Sequence, residues 1–341
     1  MKENYRDIDK INQSLLKKLL IHPVEYLKAK DKQESDEVEK KHNVFGSMVD
    51  ILCLSPERFD KEFYVMEEAD ISDALKSISS MIMEMAELEG LDIPILSKEH
   101  NSPVDHIILE VAEKFNYQSN WKNDTKVKKI KESCGGYISK LVFAKGRTIV
   151  STEEYQKAIT CSMMLKSDPG TKYYFKPKKG EVLLFHKVVQ FEFEGIEIKC
   201  ELDIIRINHD SKIIYPADLK TIGSQIYRFN SDFWKFRYDF QAGTYFLGLF
   251  SDPTIKELLE KGYKIAPFRF IVGHSDSDYS PLVFKVGESA HNIAISGGVL
   301  SDGRRLEGLT QAIKRYKFHI KEDKWDYPME YYQNKILNIE I

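Results

Sequence analysis

Two short segments decide the fold, IEIKCELDI at 196–204 and IIYPADLKT at 213–221. Apolar residues fall at every second position of the first segment: Ile196, Ile198, Cys200, Leu202 and Ile204. This period of two is typical of a strand with one buried face. The second segment is an apolar strand, and the polar residues 208–211 between the two favour a turn. The sequence therefore predicts an antiparallel hairpin.

Three charged residues, Asp203, Asp218 and Lys220, fall on these two strands. Asp218 and Lys220 are two positions apart, so their side chains leave the same face of the sheet. Asp203 lies on the polar face of the preceding strand. Two carboxylates supply the oxygen ligands that Mg²⁺ prefers, and a lysine can orient or deprotonate an attacking water or neutralise a phosphoryl group. The alternative is a surface ion pair on an edge strand, which the second acid on the neighbouring strand disfavours.

A helical pattern follows at 231–250. Within it Arg237, Gln241 and Tyr245 are spaced at i, i+4 and i+8, which would place them on one stripe. Glutamine and tyrosine can hydrogen-bond a phosphate or a base edge, and arginine can clamp a phosphate. We predict Gln241 and Tyr245 as members of the catalytic site, and both of them, with Arg237 and Tyr238, as DNA contacts. The alternative is an amphipathic helix whose large side chains only pack.

The pattern of the rest of the chain predicts mainly helices. Apolar spacing predicts helix over 8–30 with a break at the His22-Pro23 pair, and a short buried helix over 44–54. The charge run at 31–43 indicates a solvated linker. A Met-rich stretch between 66 and 145 indicates a helical insertion.

Composition is that of a globular protein of 341 residues with a net charge of −3, 42% hydrophobic residues and 30% charged ones. No apolar run approaches the roughly 20 residues of a membrane helix, and we expect no membrane partner. The four cysteines are scattered without a CxxC pair, which indicates reduced thiols and a cytoplasmic protein.

These motifs together resemble the core of the RecE-type prophage exonucleases, in the RecB-like branch of the restriction-endonuclease-like PD-(D/E)XK superfamily. The resemblance covers about 8–63 and 146–252. The segments that carry it are SLLKKL at 14–19, FGSMV at 45–49, CELD at 200–203, DLKT at 218–221 and FRYDFQAGTY at 236–245.

The resemblance implies an α/β fold of the restriction-endonuclease type. It implies one nuclease domain over 1–341, with a mixed central sheet flanked by helices and the helical insertion at 66–145. It further implies a Mg²⁺-dependent exonuclease that hydrolyses linear double-stranded DNA from 5′ to 3′, with Mn²⁺ able to substitute. Ends of duplex DNA, a single-strand annealing recombinase and further copies in a ring-like homo-oligomer are the expected partners. Two alternatives stay open: a RecB-like repair or defence endonuclease, and a non-catalytic module that binds DNA ends.

One position departs from the family. A histidine usually follows the glycine of the second motif by four residues, and here that residue is Asp50. Aspartate is also a ligand for Mg²⁺, so Asp50, Asp203 and Asp218 are the predicted metal ligands; the alternative is a degenerate site. Glu181 is a further acid that could reach the centre.

Two basic stretches near the C-terminus, 304–305 and 314–317, suit a DNA backbone. A solvated helix face is the alternative for both.

Overall fold

The computed structural model describes residues 5, 8–34, 41–67, 71–91, 102–276 and 279–337. The helices in these ranges are α1 (Gln13–Ile21), α2 (Pro23–Glu34), α3 (Lys41–Leu54), α4 (Phe59–Glu62), α5 (Asp73–Leu88), α6 (Asp105–Lys114), α7 (Asn123–Ala144), α8 (Thr152–Ser167), α9 (Phe229–Lys235), α10 (Tyr238–Leu249), α11 (Pro253–Glu260), α12 (Glu288–Ser296), α13 (Leu309–Glu322) and α14 (Met329–Asn334). The strands are β1 (Ile11–Asn12), β2 (Phe63–Met66), β3 (Thr148–Ser151), β4 (Glu181–Phe193), β5 (Ile196–Asn208), β6 (Ile213–Ile222), β7 (Lys264–Ile265), β8 (Arg269–His274), β9 (Leu282–Lys285), β10 (Gly298–Val299) and β11 (Arg305–Leu306).

The chain divides into two compact units, 1–56 with 157–341, and 57–156. The first unit is built on a seven-stranded sheet of order β1-β5-β6-β8-β9, in which β4 also pairs with β5 and β7 with β6. The sheet is mixed, since β5 is antiparallel to β4 and β6 whereas β8 is parallel to β6. Helix α10 packs on β5, and α3 packs on β6. This confirms the predicted mixed sheet flanked by helices.

A two-residue turn fixes the register of the long β4–β5 hairpin. Glu194 and Gly195 both have positive φ, +48° and +76°, the backbone that matches the right-handed twist of a hairpin. Phe193 therefore pairs with Ile196. Counted back from this pair, His186 lies opposite Asp203, between the pairs Phe185–Ile204 and Lys187–Leu202.

The sheet splits at the acidic residues. Strands β5 and β6 pair from Asn208–Ile213 as far as Ile204–Ala217. Beyond that point β1 lies along β5, with Ile11 opposite Ile198. Asp203 and Asp218 are the next residues on each strand, so both stand where β5 and β6 separate.

The alternation of β5 changes phase at the same place. The main core contains Ile198, Cys200 and Leu202 before Asp203, but Ile205 and Ile207 after it. The predicted alternation, close to strict through Ile204, is therefore interrupted after Leu202, although Ile204 itself is buried. At the same place on the neighbouring strand, His186 has a left-handed φ of +48°. Few residues other than glycine adopt that conformation, and it interrupts the regular pleat.

Glycines allow two helices to approach the sheet closely. A Cβ at Gly46 of α3 would lie 3.2 Å from Oγ1 of Thr221 on β6. A Cβ at Gly248 of α10 would lie 3.0 Å from Sγ of Cys200 on β5. Both contacts are tighter than ordinary van der Waals packing, so a larger residue at either position would force its neighbour on the strand to shift by a few tenths of an ångström.

The predicted helices differ from the observed ones in three places. The helix predicted over 8–30 begins only at Gln13, because Ile11–Asn12 forms β1. The break at His22-Pro23 and the helix over 44–54 are confirmed by α1, α2 and α3. The linker predicted at 31–43 is helical at both ends, because α2 runs to Glu34 and α3 begins at Lys41; residues 35–40 lie outside the described residues. The single helix predicted over 231–250 is two helices, α9 and α10, since Arg237 between them has a φ of +57°.

The second unit has its own core. Helices α5, α6 and α7 bury Ile78, Ile82, Ile107, Ile108 and Ile130 against one another. Strand β2 precedes these helices in the sequence and β3 follows them, and the two strands pair in parallel. These three helices lie in the segment 66–145 that was predicted to be helical. That the two units form one catalytic domain stays a prediction.

Among the described residues, no helix combines the length and the apolar character needed to cross a membrane.

Candidate metal centre

Asp50, His186 and Asp203 form a cluster of potential metal ligands. One ligand atom from each lies within 4.8 Å of the others. They come from three elements, α3, β4 and β5, and Nε2 of His186 is 3.4 Å from Oδ2 of Asp50. Two carboxylates and an imidazole suit a divalent cation such as Mg²⁺ or Mn²⁺. The predicted ligands Asp50 and Asp203 are thus brought together.

Sequence reasoning missed His186. Its Nδ1 is 3.8 Å from Oε1 of Glu201, an electrostatic contact longer than a hydrogen bond. The signal was present in the Glu194-Gly195 turn, because a two-residue hairpin places position 186 opposite 203. An imidazole thus lies beside Asp50, supplied by β4 and not by α3.

Asp203 bridges the split in the sheet. Its Oδ2 accepts a hydrogen bond of 2.8 Å from the backbone N–H of Leu219. Burial first, and then the charges of Asp218 and Asp50, raise the pKa of Asp203 well above its usual range, against the opposing effects of Lys220 and this hydrogen bond. Negative charge is crowded here, and a bound cation would relieve the repulsion.

Asp218 is almost fully buried, with 1% of its surface exposed. Nε2 of Gln241 donates to its Oδ1 over 2.7 Å, and the ammonium of Lys220 pairs with its Oδ2. Burial alone would lower the pKa of Lys220, but Asp218 and Asp203 outweigh it and the pKa is raised. Lys220 is therefore a cation at neutral pH, and three predicted site residues meet here.

Aromatic rings and a second lysine surround Lys220. Its Nζ lies 5.4 Å from the centre of the Tyr238 ring and 6.0 Å from that of Phe270. Lys17 on α1 was not predicted as a site residue. Burial, followed by the charge of Lys220, lowers the pKa of Lys17 to about 8. The two lysines are thus close enough for their charges to interact.

The predicted stripe of Arg237, Gln241 and Tyr245 on one helix was wrong, because Arg237 precedes α10. Its guanidinium pairs with Asp239 at 3.0 Å and donates to the carbonyl of Glu307 at 2.6 Å. Tyr245 is 8% exposed, and burial, then Asp218 and Asp203, raise its pKa. It lies close to the acids within the core, and the DNA contacts expected of these residues stay predictions.

Glu181 and the basic stretches near the C-terminus, the remaining predicted site residues, form contacts away from the metal cluster. Glu181 binds Arg206 at 3.2 Å and the amide of Asn208 at 2.9 Å. It is five residues along β4 from His186, roughly 17 Å at the rise of a strand, which is too far to join the cluster. In the basic stretches, Arg304 pairs with Asp302 at 2.8 Å and Arg315 with Glu307 at 2.9 Å. Both arginines are therefore engaged by acids of the same chain, and Arg315 is largely enclosed, with 17% of its side chain exposed. DNA binding by the two stretches stays a prediction.

Comparison with family models gives no match, and comparison with curated proteins gives none either. Among solved structures, the chain has a distant likeness to a crystal structure from Eubacterium rectale of a protein provisionally described as an exonuclease. The two share 12% identity with a TM-score of 0.34, over 84% of this chain and 95% of the other. A TM-score of this size does not identify a shared fold.

Proposed function

We propose that this chain is a metal-dependent DNA nuclease with a PD-(D/E)XK core, acting as an exonuclease on linear double-stranded DNA. One observation carries the proposal. Asp218 is held between Lys220 and Gln241 at the split of the sheet, directly beside the cluster of Asp50, His186 and Asp203. Carboxylates and an imidazole can hold a divalent cation, and a protonated lysine can offset charge on a phosphate, so this set suits phosphodiester hydrolysis.

Each residue has a distinct role in this proposal. Asp50, His186 and Asp203 hold a Mg²⁺ or Mn²⁺ ion, and Asp218 supplies a further carboxylate. A divalent cation bound there polarises a phosphate oxygen and lowers the pKa of a bound water. Lys220, kept protonated by Asp218 and Asp203, offsets negative charge on the phosphate. Gln241 fixes the orientation of Asp218.

The finer assignments rest on the resemblance of the motifs. Cleavage from 5′ to 3′, an annealing recombinase as partner and a ring-like homo-oligomer belong to that part of the proposal. A binding module without activity was suggested by Asp50 in place of histidine. The position of His186 weighs against it, because an imidazole lies beside Asp50 all the same.

A cleavage assay tests the proposal. Linear duplex and covalently closed circular duplex are incubated with the protein and Mg²⁺ or Mn²⁺, with EDTA as the control. We expect the linear DNA to be degraded and the closed circle to persist. Loss of both would indicate an endonuclease. Binding of linear DNA without degradation in either metal would overturn the proposal.

A further inference from the structure

A pocket of about 120 Å³ lies in the first unit between α9, β8, β9 and the start of α12. We call it the aromatic pocket, after the rings that line it: Phe229, Phe233, Trp234, Phe270 and Phe284. Two exposed polar residues, Asn230 and Lys285, also line it, together with Gly287 at the start of α12. An open site walled by rings binds flat, polarisable groups through stacking.

The register of the sheet connects the aromatic pocket to Asp218. Asp218 on β6 lies beside Phe270 on β8, and Phe270 lies opposite Phe284 on β9. Neighbouring strands are about 4.8 Å apart, so the two phenylalanines stand one and two strands from the acid and share its face. Phe270 also reaches within 6.0 Å of the ammonium of Lys220. The same row of the sheet carries the acids at one end and the pocket at the other.

We propose that the aromatic pocket receives the nucleobase of the nucleotide whose phosphate lies at Asp218 and Lys220. This inference rests on the proposed nuclease function and adds a subsite to it. The sugar of a nucleotide separates its phosphate from its base by a distance comparable to one or two strand spacings. Stacking on aromatic rings accepts any base, because every base has a π-face. In duplex DNA the bound base is unpaired, as at a frayed end or after flipping.

Polar groups at the aromatic pocket suit a base better than an apolar side chain. The amide of Asn230 has both donors and an acceptor, as the edges of the bases do. The ammonium of Lys285 adds positive charge near a polyanion. An apolar side chain of a protein partner would leave both groups unused.

Fluorescence of Trp234 reports on the aromatic pocket directly. The chain has three tryptophans, so Trp121→Phe with Trp325→Phe leaves Trp234 as the sole tryptophan, and excitation beyond the absorption band of tyrosine selects its emission. The full-length protein in EDTA is titrated with deoxyadenosine monophosphate, and separately with deoxyribose 5-phosphate, which lacks the base. We expect saturable quenching by the nucleotide and none by the sugar phosphate.

Gly287 offers a way to close the aromatic pocket without disturbing the fold. Its φ is −76°, and a Cβ there meets nothing within 4 Å. Gly287→Leu should weaken the affinity for deoxyadenosine monophosphate about tenfold or more. Gly136→Leu is the matched control, since a Cβ on that glycine in the second unit also meets nothing within 4 Å, and it should leave the affinity unchanged.

The outcomes separate the two proposals. Absent quenching, equal quenching by the sugar phosphate, or quenching that Gly287→Leu does not weaken would overturn the assignment of the aromatic pocket. Tighter binding of N-acetyl-leucinamide than of the nucleotide would overturn it in favour of a protein partner. Nucleotide binding by a protein that cleaves no DNA would overturn the nuclease function and leave a base-binding site. Cleavage of DNA without nucleotide binding would overturn the base-binding site and leave the nuclease function.

Discussion

The side-chain amide of Gln241 donates a hydrogen bond to Oδ1 of Asp218 across 2.7 Å, and both residues are buried. The bond joins α10 to β6 at the point where β6 leaves β5. It therefore couples the orientation of a proposed catalytic carboxylate to the packing of a helix.

Gln241→Ala should lower both stability and activity. The substitution leaves a buried carboxylate oxygen without this donor, which costs about 1–3 kcal/mol. Chemical denaturation in EDTA measures the stability, and nucleotide release from linear duplex measures the activity. Gln241→Glu should be worse, because it places a second carboxylate against Asp218. Wild-type values for Gln241→Ala in both assays would show that the bond is incidental.

His186→Asn should weaken the affinity for Mn²⁺ by about tenfold or more, because it removes the imidazole donor. Asparagine tolerates the left-handed backbone of this position better than most residues, so the strand should keep its shape. Calorimetric titration with Mn²⁺ gives the affinity. His209→Asn is the control, since that histidine is exposed and contacts the hydroxyl of Tyr263. Equal affinity in both variants would remove His186 from the ligand set.

Asp203→Asn should stabilise the protein in EDTA at neutral pH while abolishing cleavage. Burial and the neighbouring acids raise the pKa of Asp203, so the folded state binds its proton more tightly than the unfolded state does. That contribution to stability is complete below the ordinary carboxyl pKa of about 3.9 and is lost as the pH rises through the raised pKa. Asparagine cannot ionise, so the variant does not lose stability as the pH rises. Melting temperatures should therefore agree near pH 3.5 and diverge toward pH 8; parallel curves would contradict the pKa shift.

Lys220→Ala should lower turnover by roughly 10²–10³-fold while Mn²⁺ affinity persists, because an ammonium stabilises charge but is not a ligand. The pKa of Lys220 is raised by Asp218 and Asp203, so its proton is retained at neutral pH. The rate of the wild type should therefore show no titration of Lys220 between pH 7 and 9. A pH-dependent rise that disappears in Lys220→Ala would instead indicate a general base.

Much of the site could be predicted from local patterns. The alternating residues of β5 and the D-x-K of β6 placed Asp203, Asp218 and Lys220 on adjacent strands, because strand periodicity is a local property. Gln241 followed from the helix after β6. These residues do converge around Asp218.

What local patterns missed depends on contacts distant in sequence or on unusual backbone. His186 was not singled out from the sequence, because only the register of the whole hairpin brings it to Asp203. Arg237 has the spacing of a helical residue, but its left-handed φ ends one helix and starts another. Residues of α9, β8, β9 and α12 line the aromatic pocket, so no single segment of the sequence predicts it.

Anomalous diffraction from crystals soaked in Mn²⁺ tests the central claim most directly. We expect a peak in the anomalous difference map among Asp50, His186 and Asp203, close to Asp218, in the wild type. Asp203→Asn should lose or strongly weaken that peak while its backbone stays in place. A well-occupied Mn²⁺ elsewhere, or none at this cluster at millimolar Mn²⁺, would contradict the account of a metal-dependent nuclease centre.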